Sequence, residues 1–295
     1  MNIISILRFI INHPLNKGNK MKAISRFVKW QFSTMLSPYP IIYQFTDKSK
    51  LIIKKGMAGA TGNLYCGLHE YQEMLFLLHF LKESDLFVDI GANIGSYTIL
   101  ASAHINAYTI AIEPEPFTFA HLLNNVFINN IQRKVRALNI ALGSYIGEIN
   151  FSNTHDTTNH VSTDVDKDVI SVMINTLDNI LNEEKMPILL KIDLEGFETE
   201  VLKGACKTLE NKDLKVIIIE LNGSGKRYGY DETLIHQKLV ELDFKPYIYN
   251  PMNRTIIKIN NFNSLSSNTI YIRDTVYVES RLKNSDEVKI LGKKI

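Results

Sequence analysis

The chain has 295 residues, 45% hydrophobic and 22% charged, which suits one or two globular domains with a full buried core. A formal net charge of +2 does not point to nucleic acid as a partner. Two cysteines, Cys66 and Cys206, show no metal-ligand spacing, so a reducing cytoplasm is the expected setting. No apolar run is long enough to cross a bilayer. Residues 3–11 are apolar but interrupted by Arg8, and lack both a preceding basic segment and a following cleavage site, so they do not read as a signal peptide.

The first segment carries Arg8, Lys17, Lys20, Lys22, Arg26 and Lys29, and no acidic residue precedes Asp47. Ile24, Phe27, Val28, Met35 and Leu36 recur at helical spacing, with Lys22, Arg26 and Lys29 elsewhere on the wheel. Such a helix either rests on an anionic membrane surface or packs on the domain behind it with its lysines solvated. Packing is the commoner outcome. Residues 1–45 are therefore expected to form a basic helical extension, with the inner face of the membrane as a candidate peripheral contact.

Residues 46–54 read as a strand. Residues 56–67 contain four glycines and read as a mobile loop over a crevice mouth. A helix is expected over 68–81, with His69 and Glu70 in its first turn. Glu70 is a candidate for contact with a cofactor or acceptor, and equally a favourable charge at a helix N-terminus.

Residues 86–90, Leu-Phe-Val-Asp-Ile, form a nearly unbroken apolar run, as in a strand buried on both faces of a parallel sheet. Asp89 breaks the run near its end. Gly91 and Gly95 then allow a tight turn and close backbone approach, and Ser96-Tyr97-Thr98-Ile99 opens a helical pattern. Strand, glycine turn and helix make the first unit of a nucleotide-type α/β fold, with its crevice at the strand's carboxyl end. A dinucleotide fingerprint needs glycine at the middle position to admit a pyrophosphate, and here that position is Asn93. The next strand, 108–112, ends in Glu113-Pro114, where a carboxylate can accept both hydroxyls of a ribose. Asp89 at the first strand tip suits an ammonium group. A ligand with a ribose, an ammonium and no phosphate is S-adenosylmethionine.

An amphipathic helix follows over 117–129, then a strand over 135–142 containing Asn139 and Ala141. Strands 147–151 and 169–174 flank a polar loop, 152–168, with His155 and His160, which reads as an acceptor-binding lid or a disordered segment. Strand 188–194 alternates Leu189, Lys191 and Asp193 on one face with Leu190, Ile192 and Leu194 on the other. A buried lysine beside a carboxylate forms an ion pair, structural or functional. Helix 197–209, strand 215–221 ending in Glu220, helix 231–242 and strands 245–249 and 269–272 complete the domain. Residues 276–295 read as a basic, charge-mixed tail.

Three stretches in this order, Phe-Val-Asp-Ile-Gly-Ala-Asn-Ile-Gly-Ser-Tyr-Thr from Phe87, Glu-Pro-Glu-Pro from Glu113, and Lys-Ile-Asp-Leu-Glu-Gly-Phe-Glu from Lys191, resemble the FkbM family of S-adenosylmethionine-dependent methyltransferases. The likeness runs over residues 59–274. It implies a Rossmann-like class I methyltransferase fold in the domain 46–275: a mostly parallel seven-stranded sheet with helices on both faces, beside the N-terminal helical extension. The cofactor would lie against Asp89, Gly91, Ala92, Asn93, Gly95, Tyr97, Thr98, Glu113 and Pro114, with Glu70 a further contact. The class I architecture also implies that Asn139 and Ala141 line the adenine. Family members that methylate sugar or polyketide hydroxyls point to an alcohol acceptor, and the glycine-rich stretch before the motif tilts the choice toward a surface-polysaccharide sugar or its lipid-linked precursor.

An alcohol is a poor nucleophile until its proton is removed by a positioned base or a metal. Asp193 is the first candidate, with Lys191 tuning its charge. Glu195 and Glu220 share its mouth, and the three carboxylates are candidate ligands for a divalent cation such as Mg. Rival readings are a nicotinamide-dependent oxidoreductase, disfavoured by Asn93, and a non-catalytic scaffold, disfavoured by Asp89, the glycine turn and Glu113 standing in register.

Overall fold

A computed structural model of the chain describes residues 3–37, 39–152, 159–163, 168–264 and 266–295. It opens with α1 (Ile3–Asn12) and α2 (Lys20–Leu36), the latter capped by the Asn19 side chain, which accepts from Lys22 N. A hairpin of β1 (Ile41–Gln44) and β2 (Lys50–Ile53) follows, so the strand expected over 46–54 straddles its turn. Next comes α3 (Ala58–Cys66), a helix where four glycines suggest a loop. Burial outweighs propensity here: Ala60, Leu64 and Cys66 are in the core, and a Cβ on Gly62 would come within 2.3 Å of His69 Nδ1. The following helix is α4 (Tyr71–Phe80), with Glu70 at its N-cap position.

The central unit matches its expectation closely: β3 (Leu86–Ile90), α5 (Ser96–Ile99), continued by a π-helical turn over Leu100–His104, then β4 (Tyr108–Ile112) and α6 (Pro116–Ile128). The strand expected over 135–142 is divided. β5 (Val135–Leu138) stays in the main sheet, whereas β6 (Ala141–Leu142) joins a small second sheet with β7 (Gly147–Ser152) and β8 (Val169–Asn175). After α7 (Leu177–Ile180) come β9 (Leu189–Ile192), α8 (Glu198–Lys203), α9 (Cys206–Glu210), β10 (Val216–Glu220) and α10 (Glu232–Glu241). The last elements are β11 (Lys245–Asn250), β12 (Thr255–Lys258), β13 (Asn268–Ile272), α11 (Thr275–Lys283), β14 (Lys289–Ile290) and β15 (Lys293–Lys294).

The main sheet has eight strands in the order β12-β11-β13-β10-β9-β3-β4-β5. Strands β10, β9, β3, β4 and β5 run parallel; β13, β11 and β12 are antiparallel to their neighbours. The sheet is mostly parallel as expected, and β12 adds an eighth, antiparallel edge strand to the expected seven. Chain order reverses between β3 and β9, and at that switch point the carboxyl ends of the parallel strands open a crevice. One large core packs α1–α6 and α11 on one face of the sheet, and a second packs α7–α10 on the other. Leu189 belongs to the first core and Leu190 and Ile192 to the second, as alternation requires.

Both terminal segments share the first core. Ala23, Phe27 and Trp30 of α2 are buried in it, as are Val278, Leu282 and Ile290. Residues 276–295 therefore form no free tail. Arg281 pairs with the buried Asp85, and Lys293 Nζ donates to Leu15 O at 2.7 Å, tying the two ends of the chain together.

Candidate active site

The crevice is a cavity of about 680 Å³, within the range of small-molecule sites. Its floor is the β3–α5 turn. Gly91 has φ +75, and a Cβ there would stand 1.8 Å from Asp193 O, so only glycine lets the tips of β3 and β9 meet. Asn93 takes the left-handed φ of 50 that glycine would otherwise supply, and its own Oδ1 accepts from Ile94 N at 2.8 Å.

Asp89 and Glu113 are buried in this floor and satisfied by local donors. Asp89 Oδ2 accepts from Thr98 N at 3.0 Å and from Thr98 Oγ1 at 2.6 Å. Burial raises its pKa to about 6, with the Thr98 donors opposing. Glu113 Oε2 accepts from Asn93 N and Oε1 from Glu115 N, both at 2.9 Å. Here too burial dominates and pushes the pKa to about 7, against the pull of those two amides.

The adjoining wall, on the neighbouring strand β9 and on β10, is built from side chains that satisfy one another. Lys191 sits in register with Asp89 on β3 and Ile218 on β10, and is 2% exposed. Its Nζ lies 2.7 Å from Asp193 Oδ2 and 5.1 Å from the centre of the Tyr97 ring. Burial alone would depress the ammonium, but the charges of Asp193, Glu70 and Glu220 outweigh it and the net shift is upward. Asp193 shows the converse balance: burial raises it, while Lys191 and a hydrogen bond from Glu220 bring it below the usual carboxylate range. Burial and the Asp193 charge push Glu220 far up, so it holds the proton it shares with Asp193. Glu195, with a left-handed φ of 52, is raised to about 7 by burial and by Asp193. One oxygen each from Asp193, Glu195 and Glu220 lie within 4.8 Å of one another. A dication there would face the buried Lys191 ammonium, which already neutralises Asp193, so this donor set does not fit a resident metal.

Of the residues expected at the site, Glu70, Asp89, Gly91, Ala92, Asn93, Tyr97, Glu113, Lys191, Asp193, Glu195 and Glu220 line the cavity. Five stand behind it. Thr98 is consumed by Asp89, and Gly95 is the left-handed residue preceding α5. Asn139 donates its Nδ2 to Glu113 O and Pro114 O, each at 2.9 Å, fixing that strand tip, and Ala141 is buried in the core of the small sheet. His155 lies outside the described residues, and His160 is buried against Ser152.

Sequence reasoning missed the outer wall. Ile6 and Phe9 of α1, Trp30, Gln31 and Thr34 of α2, and Lys55, Asn63 and His69 all line the cavity. Asn63 staples this wall to the floor, donating from Nδ2 to Ser96 Oγ at 3.0 Å and accepting from His69 N at 2.8 Å. The available signal was the spacing of Ala23, Phe27 and Trp30, which marks a second, buried face on α2.

A class I sheet order with acidic residues at the ends of β3 and β4 defines a nucleotide-cofactor domain of the methyltransferase type. Residues 89–246, more than half of the chain, match the family described as the methyltransferase FkbM domain. The chain belongs to that family. It is 31% identical over 160 residues to the hexuronic acid methyltransferase AglP of Haloferax volcanii, covering 52% of this chain and 62% of that protein. A shorter stretch of 67 residues, 23% of this chain and 24% of the relative, is 33% identical to a tRNA(Phe) (4-demethylwyosine(37)-C(7)) aminocarboxypropyltransferase of Pyrococcus horikoshii. Among solved structures, the methyltransferase FkbM of Methylobacillus flagellatus KT aligns with a TM-score of 0.44 at 17% identity, over 73% of this chain and 55% of that one.

Proposed function

We propose that the protein transfers a methyl group from S-adenosylmethionine to a hydroxyl of a sugar, in a surface polysaccharide or its lipid-linked precursor. The observation that carries this reading is a single cavity with backbone-anchored Asp89 and Glu113 on its floor and the Lys191, Asp193, Glu195 and Glu220 cluster beside them. Each Glu113 oxygen spends one lone pair on an amide and keeps another for a ribose hydroxyl. Asp89, Tyr97 and Glu70, which also line the cavity, give it an acidic and aromatic character suited to an ammonium. Asn93 places a side chain where a diphosphate would need bare backbone, which argues against a nicotinamide dinucleotide.

When bound, the cofactor supplies an electrophilic methyl group on a sulfonium. The chain's own work is alignment and removal of the acceptor proton. Asp193 was the expected base, but a carboxylate held low by Lys191 and Glu220 is a weak proton acceptor. Glu195, near pKa 7 and in the cavity wall, is better matched to the task. Asp193 and Lys191 then act as a fixed charge pair that positions the acceptor. No step is assigned to a metal. The sugar reading leans on the relative named for hexuronic acid.

The test is incubation with methyl-¹³C S-adenosylmethionine and hexuronate-containing glycans, free and lipid-linked. An alkali-stable ¹³C methyl ether is the expected product. An alkali-labile methyl ester would replace the hydroxyl with a carboxyl acceptor and remove the need for a base, and an N-methyl product would overturn the alcohol reading.

A further inference from the structure

Helix α2 is apolar on two opposite faces. Ala23, Phe27 and Trp30 enter the core, while Met21, Val28, Phe32, Met35 and Leu36 lie within about 100° of arc on the other side. Of these, Phe32 is 63% exposed, Met35 77% and Leu36 87%. Tyr39 and Ile42, after the helix, are also exposed. The stripe expected from sequence thus divides: Phe27 packs inward and Val28, Met35 and Leu36 point outward. An apolar stripe of this width on a surface helix marks a contact site.

Charge identifies the occupant. Lys22 and Lys29 border the stripe along one edge, and Lys20 stands on the other side of the helix. The elements packed on α2 are α1, α3 and the turn Pro14–Asn16, and none of them contains an acidic residue. The first carboxylate in the chain is Asp47. Large apolar side chains edged by lysines, on a helix that carries no carboxylate and packs on elements that carry none, match the acyl boundary and headgroups of an anionic bilayer.

We infer that α2 docks the protein on an anionic membrane surface through Phe32, Met35 and Leu36, with Lys22 and Lys29 at the headgroups. Among the described residues no helix is long and apolar enough to cross a membrane, so this contact is interfacial. Trp30, Gln31 and Thr34, on the inward side of the same helix, line the cavity, so docking leaves the cavity about one helix diameter from the lipid surface. That a lipid-linked acceptor is presented there rests on the proposed function; the docking does not.

Intact protein is sedimented with phosphatidylcholine vesicles, with and without roughly a third phosphatidylglycerol, and no cofactor is added. Binding at least about tenfold tighter to the anionic vesicles is expected, weakening with salt. Combining Phe32→Ser, Met35→Ser and Leu36→Ser should lower it by about tenfold or more at an unchanged thermal midpoint. Combining Lys22→Glu with Lys29→Glu should abolish the preference for anionic lipid. Equal binding to both vesicle types, or full binding by the serine variant, overturns the inference. A dimer that the serine variant dissolves, with no vesicle binding by the wild type, also overturns it and assigns the stripe to a second copy. Because the assay contains no cofactor, its failure is distinct from failure of the methyl-transfer reading.

Discussion

The floor and the adjoining wall of the cavity are both lined with acids, buried on the floor and half-buried on the wall, but they are held in different ways. On the floor, Asp89 and Glu113 lean on amides and a hydroxyl of the same local unit, from Asn93, Thr98 and Glu115. On the adjoining wall, Asp193 is held by a buried lysine and a second carboxyl from the neighbouring strand. A floor of the first kind keeps its hydrogen bonds when a neighbouring charge is removed, although Asp89 also feels the pull of Lys191. A wall of the second kind is one coupled unit, in which removing a member changes the protonation of the rest. Binding a fixed cofactor suits the former, and moving a proton suits the latter.

Lys191→Ala gives the largest expected effect. It leaves Asp193 without its counter-charge and should destabilise the fold by about 3–5 kcal/mol, measured by chemical denaturation. A loss below about 1 kcal/mol would mean the adjoining wall is not coupled as described. Glu195→Gln should lower turnover by about a hundredfold or more with the fold and cofactor affinity unchanged. In the wild type the rate should rise as pH passes through about 7, where Glu195 loses its proton, and the variant should lack that limb.

Glu73 on α4, pushed to about 7 by burial and by Glu70, gives the smaller test. Its folded pKa lies above the unfolded value, so the folded state binds more protons between pH 4.5 and 7 and stability falls as pH rises through that window. Glu73→Gln should therefore gain on the wild type from pH 5 to pH 8, by up to about 3 kcal/mol. A constant difference across that range would place Glu73 in a more solvated setting.

The same contrast explains what the sequence makes legible. The floor lies within one strand–turn–helix–strand unit, where an apolar run, a glycine turn and a terminal acid signal each other over a few residues. Accordingly β3 and β4 fall where their residues predict, and Asp89, Gly91 and Glu113 line the cavity. Lys191 and Asp193 were legible as a pair because both lie in or beside a single strand. Roles within the cluster were not, since the low pKa of Asp193 depends on Glu220 from another strand. The outer wall was the least legible part. Glu70 accepts from Asn268, 198 residues away, and α3 is helical despite its glycines because its other side chains are buried. Asn139 falls in the break between β5 and β6 and spends its amide on the Glu113 and Pro114 carbonyls instead of facing the cavity.

The central claim is that the floor built by Asp89, Asn93 and Glu113 holds S-adenosylmethionine. Its most direct test is calorimetric titration of the cofactor-free protein with S-adenosylhomocysteine, with NADH in parallel and Glu113→Ala as the variant. The account predicts micromolar binding of S-adenosylhomocysteine, none of NADH, and affinity lowered about tenfold or more by the variant, equivalent to about 1.4 kcal/mol. Binding of NADH in place of S-adenosylhomocysteine, or unchanged affinity in Glu113→Ala, would contradict it.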